Sequence, residues 1–220
     1  MAYFISSDMN FSPAPTKEKT PRNRGVFVEG QDNSVKDVVI SYNKYSHRPP
    51  LEHQKESIQK LVENKKFILA DDMGLGKTTS TIIAALDSGA KKVLIICPAT
   101  LKINWKREIE NYSDKSIYIS EGKNFNGDAD FVIINYDIIK NFHTTKKKEN
   151  SQILDSNFDL VIVDEAHYIK NATAQRTKLI NDLVKKVDRL WLLTGTPMTS
   201  RPMDYFNLLN LLSKDRTGYR

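Results

Sequence analysis

From about residue 51 onward, two hydrophobic patterns alternate along the chain. Short segments at 67–70, 93–97, 131–135, 160–164 and 190–194, apolar throughout except for the last residue of the final three, predict strands buried on both faces, because a strand with one wet face would alternate apolar with polar. Between them, apolar residues recur at helical spacing. Ile58, Leu61 and Val62 mark one helix, and the segments 78–86, 101–112, 172–187 and 202–212 predict others. Strand–helix alternation of this kind predicts an α/β fold, with a mostly parallel central sheet and helices on both faces. The first 47 residues break the pattern. Ser12, Pro13, Pro15, Lys17, Lys19, Pro21, Arg22 and Arg24 make a basic, proline-punctuated stretch without periodicity. A β-branched run at 35–42 reads as a short strand. Residues 1–47 are therefore expected to form an N-terminal extension, partly disordered or a small β addition, and 48–220 the regular domain.

Composition narrows this only slightly. Of the 220 residues, 40% are hydrophobic and 27% charged, enough core-forming material to exclude a wholly disordered chain. The formal charge of +6 suits a polyanionic partner but does not assign one. Cys97 is the single cysteine and cannot form an internal disulfide, and with 4 histidines there is no Cys/His cluster at zinc spacing. No apolar run approaches the roughly 20 residues of a membrane span. Residues 1–11 lack a basic start and are interrupted by Asp8, unlike a secretory leader. The expectation is an intracellular protein with no membrane partner.

Gly74-Leu75-Gly76-Lys77-Thr78 falls between a predicted strand and a predicted helix, the context of a phosphate-binding loop. Glycines let the backbone curl so that N–H groups face phosphate oxygens, and the helix N-terminus adds partial positive charge. Lys77 would reach the β- and γ-phosphates, and Thr78 would be a magnesium ligand. The general pattern asks for glycine at 71, where this chain has Asp71. A second motif, Asp164-Glu165, follows the apolar run at 160–163. Ligands of open α/β sheets bind beyond the carboxyl ends of strands, so Asp164 and Lys77 can converge. Asp164 would hold magnesium and Glu165 would orient or deprotonate an attacking water.

Taken together, Ala70-Asp71-Asp72-Met73-Gly74-Leu75-Gly76-Lys77-Thr78, Asp164-Glu165-Ala166-His167 and Leu193-Thr194-Gly195-Thr196-Pro197 resemble motifs I, II and III of the Swi/Snf-related DNA translocases of helicase superfamily two. In that family Asp71 is the expected residue, and Asp72 in place of glutamate is a conservative change. Cys97-Pro98-Ala99-Thr100-Leu101 through Asn104-Trp105 is similar to motif Ia, and Ile134-Asn135-Tyr136 to motif Ib. Lys170-Asn171 also matches, and the resemblance covers roughly residues 48–213.

The resemblance implies a RecA-like P-loop NTPase lobe that binds ATP and Mg²⁺. Met73, Gly74, Leu75, Gly76, Lys77, Thr78 and Thr79 would cradle the nucleotide, Gln54 would read the adenine edge, and Lys77, Asp164 and Glu165 would be catalytic. Relatives carry Arg-Pro closer to that glutamine than Arg48-Pro49 stand here, and a solvent-facing helix residue is the other reading of Gln54. His167, Thr194, Gly195 and Thr196 resemble elements that relay nucleotide state to bound nucleic acid; a simply hydrogen-bonded histidine is the other reading of His167. Thr100, Asn104, Tyr136, Lys170, Asn171 and Thr196 would lie along one strand of DNA, probing phosphates rather than bases. For Trp105 and Tyr136, base stacking and core packing are both open. Lys146, Lys147 and Lys148 form either an electrostatic contact or a solvated loop.

The family's motors have a second RecA-like lobe that closes over ATP and contributes arginines. Arg216 and Arg220 do not match that arginine motif. The expectation is thus a first lobe, whether cut from a longer chain or half of a split machine, partnered by a second lobe in cis or in trans. Its function would be DNA-dependent ATP hydrolysis coupled to movement on, or remodelling of, DNA. The alternatives are a nucleic-acid-binding module with a non-hydrolysing nucleotide pocket, and a P-loop switch or kinase-like enzyme.

Overall fold

The computed structural model describes residues 40–143, 151–171, 173–195 and 208–212. Its elements run α1 (Glu52–Glu63), β1 (Lys66–Leu69), α2 (Lys77–Asp87), β2 (Val93–Cys97), α3 (Lys102–Glu110), β3 (Ile117–Ile119), β4 (Phe131–Asn135), α4 (Gln152–Asp155), β5 (Leu160–Val163), α5 (Gln175–Val184) and β6 (Arg189–Leu193). The six strands form one sheet in the order β1-β6-β5-β2-β4-β3, and every pairing is parallel.

Alternate residues of the apolar strands supply two separate cores, one on each face. Phe67, Leu69, Ile95, Ile133, Ile162 and Trp191 point to one side and pack against Ile58 and Leu61 of α1, Ile82 and Ile83 of α2, and Trp105 and Ile109 of α3. Ile68, Leu94, Ile96, Val132, Val161 and Leu192 point to the other, against Ile153 of α4, Ile180 and Leu183 of α5, and Leu208, Leu211 and Leu212. This is why the strands show no alternation: both faces are dry. The sheet with helices on both faces is the architecture expected of a RecA-like lobe.

Differences from expectation are local. β3 was not anticipated, because three half-buried residues carry too little pattern. α4 was likewise missed; it is short and capped by Ser151, whose Oγ accepts from Leu154 N at 3.2 Å. The strand expected at 35–42 lies largely outside the described residues, and Tyr42 instead opens a 3-10 turn, Tyr42–Tyr45. That turn packs on the lobe. Tyr45 is buried, its hydroxyl donating to Asp87 Oδ2 at 3.2 Å, while Arg48 pairs with Glu108 of α3 at 3.1 Å. Residues 42–47, expected with the extension, thus join the packing of α2 and α3. The helix expected at 172–187 spans only Gln175–Val184; residue 172 lies outside the described residues, and Thr173, whose N–H donates to Asn171 Oδ1 at 3.0 Å, is in a turn. Of the helix expected at 202–212, residues 208–212 are described and are helical.

Candidate nucleotide and nucleic-acid site

β1 delivers the chain into the loop 70–76, and α2 leaves it. Gly74 (φ 85°) and Gly76 (φ 78°) adopt left-handed backbone, which lets the loop curl into a turn before Lys77 begins the helix. Lys77 Nζ lies over this loop, donating to the carbonyls of Asp71 at 2.8 Å and Asp72 at 3.1 Å. Both acceptors are neutral, so the full charge of the ammonium remains available to an anion. Thr78 follows in the first turn of α2, half-buried. Thr79 faces α3, where its hydroxyl donates to Glu108 Oε2 at 3.4 Å.

α1 grips the same loop from behind. Gln54 accepts from the backbone N–H of Leu51 at 2.9 Å, and its Nε2 donates to the Leu75 carbonyl at 3.2 Å. His53 Nε2 meets that carbonyl as well, at 3.2 Å. Ser57 Oγ donates to Asp71 Oδ2 at 2.9 Å, so Asp71 ties the loop to α1. Burial pushes the Asp71 carboxyl above its ordinary range, and the Ser57 bond and the nearby Lys77 charge work against that. Gln54 is buried, which removes its solvent-facing reading and places its amide against the phosphate loop. His53, Ser57 and Asp71 are anchors that sequence reasoning did not assign. A side chain at 76 would strike Gln54, since a Cβ there would lie 2.2 Å from Nε2. Gly76→Ala is accordingly expected to cost about 1–2 kcal/mol in left-handed strain and to expel Gln54 from Leu75. Thermal melting and nucleotide titration check both parts.

The second motif sits at the carboxyl end of β5. Asp164 continues the ladder through its N–H to Ile96 O at 2.8 Å, and its side chain is buried. Oδ2 accepts from the indole Nε1 of Trp105 at 2.8 Å, and Oδ1 from the N–H of Glu165 at 2.9 Å. Burial raises the Asp164 carboxyl above the ordinary range; the Trp105 bond opposes this most, and the charge of Lys77 also lowers it. The lysine of the first motif and the aspartate of the second are therefore within electrostatic reach, as the sheet topology requires. Glu165 has left-handed backbone (φ 52°, ψ 53°), a strained conformation for a residue with a Cβ. Its Oε2 lies 3.1 Å from His167 Nδ1 without hydrogen-bond alignment, and both atoms are buried. Cys97, beside Asp164, has its thiol pushed up to about 12 by burial and is not a nucleophile here.

β6 carries the third motif between the other two. Thr194 is buried and donates its N–H to Leu69 O at 3.0 Å. A Cβ on Gly195 would lie 2.8 Å from Met73 Cγ and 3.4 Å from Lys77 Nζ, so this loop packs directly on the phosphate loop. Thr196 lies outside the described residues, as do Lys146, Lys147 and Lys148. Thr100 and Asn104 are exposed, on the turn and first helical residues after β2. Lys170 and Asn171 follow the turn after β5, Asn171 exposed and its Oδ1 accepting from Thr173 N at 3.0 Å. Tyr136 is corrected from nucleic-acid contact to core. Its ring is 4% exposed and stacks on Tyr168 at 5.4 Å between centroids, and its hydroxyl donates to the Asp164 carbonyl, leaving no free face for a base. Trp105 is also core, with a polar duty the sequence did not reveal.

These residues suit Mg²⁺ with a nucleotide. No group of three or more His, Cys, Asp or Glu side chains converges among the described residues, which argues against an all-protein metal cage. Magnesium is ordinarily held by one or two protein oxygens plus phosphates and waters. A buried carboxylate whose own hydrogen bonds do not overcome desolvation, beside an unaligned buried Glu165 oxygen, is a donor set that a divalent cation would complete.

Comparison with known proteins gives the family and the fold. A family model described as the SNF2-related domain matches residues 53–219. An uncharacterized ATP-dependent helicase of Bacillus subtilis, YqhH, is 36% identical over 182 residues, covering 77% of this chain and 30% of that protein. The DNA annealing helicase and endonuclease ZRANB3 of Bos taurus is 33% identical over 178 residues, covering 76% of this chain and 16% of that protein. The Sulfolobus solfataricus SWI2/SNF2 ATPase core, solved in complex with dsDNA, superposes with a TM-score of 0.62 at 24% identity, over 80% of this chain and 37% of its own. That likeness speaks to the fold. The chain spans less than a third of the length of the curated relatives it matches.

Proposed function

Because the chain belongs to the SNF2-related domain family, we propose that it is the ATP-binding lobe of a DNA-dependent ATPase, coupling hydrolysis to movement along or remodelling of duplex DNA inside the cell. The observation that carries this reading is that the strands leading into the three motifs are neighbours, in the order β1-β6-β5, with Gly195 of the third motif packed against Met73 and Lys77 of the first. In this reading Gln54 contacts the adenine, and the backbone of Met73 to Gly76 binds phosphate oxygens, with Lys77 adding positive charge at the γ-phosphate. Thr78 and Asp164 would hold Mg²⁺, which when bound supplies charge neutralisation at the phosphates. Glu165 accepts the proton of the attacking water at its carboxylate, and His167, with Nδ1 3.1 Å from Glu165 Oε2, relays the state of the nucleotide to bound DNA together with Thr194, Gly195 and Thr196. Thr100, Asn104, Lys170, Asn171 and Thr196 contact phosphates of one DNA strand without reading bases. A second RecA-like lobe, in cis or in trans, completes the cleft with arginines.

The test is phosphate release from Mg·ATP by the chain, alone and with a second lobe supplied, with and without saturating duplex DNA. DNA-stimulated release is expected once both lobes are present. Duplex binding that ignores ATP, with no release in either setting, would replace this reading with a nucleic-acid-binding module.

A further inference from the structure

Trp105 is fully buried on α3, yet its one polar atom is not spent on packing. The indole N–H donates to Asp164 Oδ2 at 2.8 Å, joining a helix that follows β2 to a carboxylate that follows β5. Phenylalanine would keep a smaller aromatic ring in this apolar surrounding but would leave a buried carboxylate oxygen without its donor, a costly arrangement. The other oxygen is held by the N–H of Glu165 at 2.9 Å. Donors from two different elements therefore fix the carboxylate plane: the Glu165 N–H belongs to the segment that continues β5, and the Trp105 N–H to α3.

The same turn of helix looks outward one residue earlier. Asn104 is exposed, as is Thr100 on the preceding turn, while Ile103 is 49% exposed. Between them these residues form the surface that α3 offers at the carboxyl end of the sheet. Because α3 is a packed rigid element, a contact that shifts its exposed start shifts the indole with it.

We propose that Trp105 is a positioning residue: its indole N–H orients the Asp164 carboxylate for the metal, and α3 carries a displacement made at Thr100 and Asn104 to that carboxylate. This rests on the reading of Asp164 as the magnesium carboxylate. It assigns Trp105 neither to base stacking nor to packing alone.

Two readouts test it, neither being turnover. Trp105→Phe keeps an aromatic ring, though a smaller one, and removes the donor. Titrating a fluorescent ADP analogue at graded Mg²⁺, the variant is expected to need about 10–100-fold more magnesium for half-maximal tightening, with affinity in excess chelator unchanged. The second readout uses the wild-type chain. Its 2 tryptophans give two indole N–H signals in a ¹⁵N-correlated spectrum, assigned by difference against Trp191→Phe. The Trp105 signal should move on adding Mg·ADP and also on adding duplex DNA without nucleotide. The Trp191 signal, bonded to Asn64 O at 3.0 Å on the far side of the fold from these contacts, should stay. An unchanged magnesium requirement in Trp105→Phe, or a Trp105 signal indifferent to both ligands, overturns the inference. If the wild-type chain shows no magnesium-dependent nucleotide binding at all, the failure belongs to the functional reading and takes this inference with it.

Discussion

Replacing Lys77 with alanine is expected to weaken Mg·ATP binding by on the order of 10²-fold. The ammonium lies over the loop, and its two partners are carbonyls of Asp71 and Asp72, so its charge is not cancelled by the fold. A charge-assisted contact of this kind is worth about 3 kcal/mol, on the order of 10²-fold in Kd. The change also strips both carbonyls of their donor, loosening the loop that Gln54 and Ser57 hold from behind. Calorimetric titration measures the loss directly, and thermal melting should show the fold intact, since Lys77 is only half-buried and lies outside both cores. Affinity within a few-fold of wild type would mean that the loop does not bind phosphate through this lysine.

Glu165→Gln should separate binding from chemistry. The amide has the shape of the carboxylate and keeps whatever space it fills beside His167, but it cannot take a proton. Nucleotide affinity is expected to stay near wild type, while DNA-stimulated phosphate release from the two-lobe assembly falls by about 10²–10⁴-fold. Equal release by both proteins would remove Glu165 from the base role. Its left-handed backbone provides an internal control. Glu165→Gly relieves the strain and is expected to raise stability by about 1 kcal/mol while abolishing release, so a turnover defect with increased melting temperature cannot be ascribed to unfolding.

How far the sequence reached depends on the range over which each feature is encoded. The five long strands were legible because each is a local, uninterrupted apolar run, and burial on both faces demands such a run. β3 was not, since Ile117–Ile119 is half-buried at the sheet edge and mixes into its surroundings. The loop 71–78 and the pair Asp164-Glu165 were legible as motifs, and strand topology alone predicted that they meet. What stayed hidden were the contacts between elements distant in sequence. Nothing local in Asn104-Trp105 says that an indole will find Asp164, and the core reading of Tyr136 needed the packing of its ring against Tyr168. Nothing local in Glu56-Ser57-Ile58 singles out the serine; only the fold shows it holding Asp71. Asp71 itself, a departure from the general phosphate-loop pattern, acquires a physical purpose as the tether between that loop and α1.

The order of the strands has a bearing on how the protein is made. β1 carries the phosphate loop, yet its sheet partner is β6, with Lys66 beside Leu190 and Leu69 beside Leu193. A chain emerging from the ribosome makes β1 first among the strands and its neighbour last. Until then the backbone of β1 has no ladder to join, and Leu69 O has no Thr194 N–H to accept from. Pairing so distant in sequence carries a large loop-closure cost and slows folding, and an unpaired apolar strand is prone to stick to other chains in the meantime. The loop after β1 therefore gains its support from the sheet only once β6 is made, and a ribosome stalled before β6 would leave that loop held from α1, through Gln54 and Ser57, without it.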